Sequence, residues 1–119
     1  MDFCNDFSHD LKFGKLGEGL IADIFSNKKL EVKRDNFICK TGNIAVEFES
    51  RGKPSGIATS QADYWVFILS GDLNDTIILI FEINKLKEIA RDFYLKGKIK
   101  LMGDDNTSKA ILIPFKNII

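Results

Sequence analysis

A chain of 119 residues with 17 basic and 17 acidic side chains carries no net charge, which argues against a generic coat for a polyanion. Its length suffices to bury one core without staples, so a single domain over residues 1–119 is expected. No stretch is apolar for long enough to span a bilayer, and the two cysteines, Cys4 and Cys39, form neither a disulfide framework nor a zinc spacing.

Residues 1–9 lack periodicity and read as a loose leader. Met1–Asp6 is acidic where a secretory leader would be basic, so a reduced, cytoplasmic setting is expected. From Asp10 to Phe25 the spacing of Phe13, Leu16, Leu20 and Ile24 predicts a helix with those residues inward. Gly14, Gly17 and Gly19 are poor helix formers. Gly14 and Ala22 flank Glu18 at four-residue steps, which would let another element approach closely.

Leu30–Asp35 and Asn43–Ser50 alternate apolar and polar residues at the period of a strand. Thr41-Gly42-Asn43 between them predicts a hairpin. Residues 51–62 read as a small, polar linker. Asp63–Leu69 has little polar alternation and reads as a central strand covered on both faces. Gly71–Asp75 is a turn and Thr76–Glu82 another strand. Asn84 caps a helix to Tyr94, with Leu86, Ile89, Ala90 and Phe93 inward. Gly97 ends that helix. Strands follow at Lys98–Met102 and Ala110–Phe115, and Pro114 suits a strand end or edge. The expected fold is α+β, in the order α-β-β-β-β-α-β-β, a mixed sheet flanked by helices.

The chemistry-bearing feature is acidic. If the two hairpin strands turn their apolar residues to one core, Glu31, Asp35, Glu47 and Glu49 share the opposite face with Lys33. Such carboxylates repel unless a cation sits among them, and a hard divalent metal is the economical choice. A charged outer face on an edge hairpin is the plain alternative. His9 lies in the leader, which disfavours histidine chemistry. Cys39 has no histidine near in sequence to activate it. Trp65 and most of the ten phenylalanines fit core positions.

A helical glutamate, an acidic residue near the first strand and a hydrophobic-Glu-x-Glu strand together resemble the PD-(D/E)XK nuclease superfamily. More narrowly, E-V-K-R-D at 31–35, T-G-N-I-A-V-E-F-E at 41–49 and P-S-G-I-A-T-S-Q-A-D-Y-W at 54–65 resemble small restriction-endonuclease-like proteins common in phage genomes. The resemblance covers roughly residues 10–69 and implies a restriction-endonuclease-like core.

It also implies roles. Glu47 matches the first acidic position of the motif, and Glu49 stands where lysine is usual, so Lys33 is the surrogate. Asp35 matches the motif aspartate by type, while hairpin geometry leaves Glu31 open as the alternative. Glu18 matches the helix glutamate, and Gln61 resembles a residue that assists phosphate or metal positioning. One or two Mg²⁺ or Mn²⁺ ions would be held by Asp35 or Glu31, Glu47 and the carbonyl of Phe48. Lys40, Arg51 and Lys53 would meet nucleic acid.

The reaction so implied is hydrolysis of DNA phosphodiesters, with branched or structured DNA as a substrate by analogy with small Holliday-junction resolvases. Acting on two strands would favour a homodimer, located in the host cytoplasm if the chain is phage-encoded, and no membrane partner is expected. The rivals are a catalytically inactive nucleic-acid-binding or accessory protein on the same fold, and a small interaction domain without metal.

Overall fold

A computed structural model describes residues 7–35, 38–70 and 76–118. The leader residues 1–6 and the turn expected at 71–75 lie outside the described residues. The elements are α1 (Phe7–Asn27), β1 (Leu30–Asp35), α2 (Ile38–Thr41), β2 (Asn43–Ser50), β3 (Lys53–Pro54), β4 (Tyr64–Ser70), β5 (Thr76–Glu82), α3 (Ile83–Leu95), β6 (Ile99–Met102) and β7 (Ser108–Pro114). The fold is α+β, with helices beside two sheets in the orders β1-β4-β5 and β3-β2-β7-β6.

The predicted hairpin does not form. β1 pairs with β4 in parallel, and β2 pairs antiparallel with β3 and β7. Thr41-Gly42-Asn43 instead closes the short helix α2. Gly42, at φ +72°, is the left-handed residue that follows a helix C-terminus, and the Thr41 hydroxyl accepts from the Asn43 N–H at 3.2 Å. Two strands joined by a helical turn need not lie side by side, so β1 is free to sit at the edge of the other sheet.

That pairing turns β1 over relative to expectation. Its register sets Glu31, Lys33 and Asp35 beside Trp65, Phe67 and Leu69, three buried residues of β4. The charged row thus borders the core side of the sheet, and Val32 faces outward and is exposed. The arrangement is tolerable because β1 is an edge strand: Lys33 extends past the core with its ammonium 5.6 Å from the centre of the Trp65 ring.

The core gathers Trp65, Phe67 and Leu69 of β4, Ile44 and Val46 of β2, Ile111 and Ile113 of β7, and Leu86, Ala90 and Phe93 of α3. Each strand contributes alternate residues and the helix contributes three- and four-residue steps, as the two periods require. β4 is the central strand of its sheet, as its composition predicts, but only one of its faces lies in this core; among the described residues the cover expected on its other face is lacking apart from the burial of Val66. α3 begins one residue before the predicted cap. The Glu82 carboxylate, rather than Asn84, caps it by accepting from the N–H groups of Asn84 and Lys85 at 3.1 and 3.0 Å. Pro114 ends β7, where its missing N–H breaks no interior ladder bond.

The first helix departs most from expectation. It begins at Phe7, so His9 is helical, with its ring 5.8 Å from that of Phe13. Of its predicted inward stripe only Ile24 is buried; Phe13, Leu16 and Leu20 are 70, 65 and 53% exposed. A Cβ at Gly14, Gly17 or Gly19 would meet nothing within 4 Å, so among the described residues no element makes the close approach that these glycines suggested. α1, about 31 Å long at 1.5 Å per residue, accounts for molecular dimensions of 56 × 31 × 29 Å. The radius of gyration of 16.9 Å exceeds the roughly 13.5 Å of a compact chain this long.

Candidate functional site

Two neighbouring clefts receive the acidic residues. The first, of about 600 Å³, is lined by Lys33, Arg34 and Asp35 of β1, Glu47 of β2 and Lys100 of β6, with Trp65 among its apolar walls. The second, of about 580 Å³, is lined by Glu31 and Lys33 of β1, Glu47, and the segment that includes Thr59, Ser60 and Gln61. Lys33 and Glu47 line both clefts. Residues from strands of different sheets, 14 residues apart in sequence, therefore border the same clefts even though their strands do not pair.

Glu47 is the best-anchored of these residues. The Ser55 hydroxyl donates to its Oε2 at 3.1 Å, and the Ser55 N–H donates to the carbonyl of Phe48 at 3.0 Å. Gly56, at φ +54°, brings its backbone so close that a Cβ would overlap the Glu47 carbonyl oxygen. The segment read from sequence as a linker is thus a clamp on the principal acidic residue. Ser55 was visible in the P-S-G motif, but its role depends on a turn that only the left-handed glycine allows.

Glu49 does not share the site. The β2–β7 ladder pairs Glu47 with Ala110 and Glu49 with Lys109, leaving Phe48 as an extra residue. This bulge breaks the period-two alternation, so two carboxylates two apart point to opposite faces. Glu49 is held instead by Lys109 at 3.1 Å. Glu18 lines neither cleft; it is exposed on α1, on the side of the helix opposite Leu16 and Leu20.

Lys33 is bound to Glu31 at 3.0 Å, an exposed pair that contributes little stability and leaves both groups free to re-pair. Lys40, Arg51 and Lys53 are exposed but line neither cleft. Arg51 and Gly52, both at positive φ, make the tight β2–β3 connection, with the Arg51 N–H donating to Thr107 at 2.8 Å. The cations at the first cleft are Lys33 and Lys100; Arg34 borders it, but its guanidinium donates to Ser70 Oγ at 3.5 Å on the outer side of β4. Lys100 escapes a sequence reading because strand pairing alone brings it to the row of Ala110 and Glu47.

The A-D-Y-W block has a local structural purpose. The Asp63 carboxylate accepts from the Lys29 N–H at 2.8 Å, and the Lys29 carbonyl accepts from the N–H groups of Asp63 and Tyr64. The Trp65 indole donates to Ser60 Oγ at 2.9 Å, which leaves the buried ring satisfied. These bonds fix the start of β1 against β4 and so set where Glu31, Lys33 and Asp35 emerge.

The donor set can be tested against a divalent ion. Among the described residues no three His, Cys, Asp or Glu side chains are grouped as an all-protein cage would require. Asp35 and Glu47 both line the first cleft, and Mg²⁺ asks less of a protein. That ion takes one or two carboxylates and fills its remaining positions with water and substrate phosphate. No helix is long and apolar enough to cross a membrane among the described residues. Set against family models, curated proteins and solved structures, the chain matches none, and the site stands on its own geometry.

Proposed function

We propose that the chain is a Mg²⁺- or Mn²⁺-dependent endonuclease acting on DNA phosphodiesters, of the PD-(D/E)XK type that its sequence resembles. The observation that carries this reading is that Lys33, Asp35 and Glu47 line one cleft together with Lys100. Acidic residues rimmed by cations suit a phosphate diester, whose negative oxygens need the cations and whose metal needs the carboxylates.

Asp35 and Glu47 would hold the ion, with Glu31 in the adjoining cleft as the alternative to Asp35. When bound, such an ion supplies Lewis acidity and a more acidic water. Ser55 keeps Glu47 in one rotamer, Lys33 offsets charge that builds on the phosphate, and Lys100 positions the backbone of the nucleic acid. Gln61 lines the second cleft, where it can meet the flanking phosphate.

Plasmid nicking in millimolar Mg²⁺ or Mn²⁺ tests the reading. Cleavage is expected from the wild type and lost in Glu47→Ala; Ser55→Ala, which removes only the hydrogen bond to the ligand, is expected to cost about 10-fold or more. Midpoints of thermal unfolding should rise with the metal in the wild type and not in Glu47→Ala. Equal cleavage by wild type and Glu47→Ala would refute the assignment.

A second reading is a non-catalytic DNA-binding protein on the same fold. It is favoured by the lack of a three-acid group among the described residues and by the turning away of Glu49. Its signature is salt-dependent DNA binding without nicking, weakened by Lys33→Ala and Lys100→Ala and insensitive to metal.

A further inference from the structure

Two apolar surfaces lie open on the same chain. One is the α1 stripe of Phe13, Leu16 and Leu20, extended by Ile21. The other is the outer face of the β1-β4-β5 sheet. There the register lines up Val32, Val66 and Ile80 in one row, and Arg34, Ile68 and Ile78 in the next. Val66 is buried, but Val32 and Ile78 at the two edges are 55 and 58% exposed.

The two surfaces match in size. Three strands at about 4.8 Å spacing make a face about 14 Å wide, and seven residues at about 3.3 Å make it about 23 Å long. One helix, about 10 Å across and 31 Å long, covers it. Gly17 lies within the helical stripe with open space around it, so nothing on that side would hold the helix off a sheet.

The connection disfavours cover by the chain's own helix. Only Lys28 and Lys29 separate α1 from β1. Lys28 is paired with Asp23 at 3.7 Å, and Asn27 donates to Asp23 at 2.9 Å. Lys29 is pinned by the Asp63 carboxylate and by the N–H groups of Asp63 and Tyr64. With the link held, α1 meets its own chain near Ile24, which is 3% exposed, and the stripe of Phe13, Leu16 and Leu20 is left uncovered.

We infer that α1 is exchanged between two copies of the chain, each helix laying its Phe13-Leu16-Leu20 stripe on the outer β1-β4-β5 face of the other. In such a pair every chain gives one helix face and one sheet face. At about 320 Å² of footprint each, before side-chain relief, their sum of about 640 Å² approaches the roughly 800 Å² per partner of a standard interface. The contact is isologous and closes with two-fold symmetry, leaving no free copy of either surface. It is independent of the nuclease reading, because of the residues that line the clefts only Leu30 and Arg34 fall on the outer side of β1, and neither has a part at the metal.

Sedimentation or light scattering of the full chain, with circular dichroism as the check on folding, tests the exchange. The wild type should have twice the mass of one chain. Leu20→Glu on the helix and Ile78→Glu on the sheet should each raise the dimer Kd by about thirtyfold or more, the scale of a hot-spot loss. Both sites are more than half exposed within one chain, so the fold itself should survive. Mixing the two variants should restore dimer, since one helix-on-sheet contact of the pair is then intact. A wild type that stays monomeric overturns the inference. So does a dimer indifferent to Ile78→Glu, or a failure of the mixed variants to pair.

Discussion

The two long helices carry the same kind of sequence pattern and meet opposite fates. α3 buries Leu86, Ala90 and Phe93 against both sheets, with Leu86 only 1% exposed, whereas α1 leaves Phe13, Leu16 and Leu20 in the open. Periodicity finds an apolar face, but it is silent on what covers that face. α3 lies between strands that its own neighbours in sequence supply, because β5 leads into it and β6 and β7 follow. α1 has only a two-residue link to β1, and that link is pinned to β4.

Core truncations should separate the helices most sharply. Leu86→Ala is expected to cost about 2–5 kcal/mol, the range for a buried leucine that leaves a cavity. Leu16→Ala should cost well under 1 kcal/mol in dilute protein, where that side chain is 65% exposed. Denaturant unfolding at two protein concentrations checks both, since only the Leu16 effect should grow with concentration if α1 lies on a second copy. An equal cost at both positions and all concentrations would mean that α1 folds onto its own chain.

The same contrast holds for glycines. Gly56 is locked against Glu47 at φ +54°, whereas Gly14 has open space around it. Gly56→Ala combines a backbone clash with a left-handed conformation, and about 3 kcal/mol or more of stability should be lost. Metal-dependent changes in melting should vanish with it, because the clamp on Glu47 shifts.

These differences mark how much was legible beforehand. Helix α3, the central strand, the final strands and the α+β class follow from local periodicity and caps, which short segments specify by themselves. Three features do not. The partner of β1 depends on a turn of helix at 38–41 in place of a hairpin. The direction of Glu49 depends on a bulge at Phe48, which no alternation reveals. The role of Ser55 depends on a glycine turn brought against β2 from eight residues away. All three are set by backbone geometry between elements, so the acidic residues were found but their grouping was not: Glu47, Asp35 and Lys33 share a cleft, and Glu18 and Glu49 do not join them.

Capping gives a smaller test. Glu82→Ala removes the acceptor for two N–H groups at the start of α3 and should cost about 1 kcal/mol. Glu82→Gln, which keeps one oxygen acceptor, should recover part of that loss. Chemical denaturation of the two variants resolves the difference.

The smallest effect has the opposite sign. Gly14 sits in the first half of α1, one heptad before Ile21 at the margin of the apolar stripe, with nothing within 4 Å of where a Cβ would stand. Alanine there gains up to about 1 kcal/mol of helix propensity without touching another element. The gain should appear as higher helical ellipticity and slower amide exchange in residues 8–22, while the exchange of the core strands stays unchanged. That separation follows from the packing, because among the described residues α1 meets the rest of the chain only near Ile24, and a helix whose preceding turns are exposed can be strengthened there without stabilising the core. If Gly14→Ala instead raised the unfolding midpoint of the whole chain in dilute solution, α1 would belong to the cooperative core, and its distinction from α3 would fail.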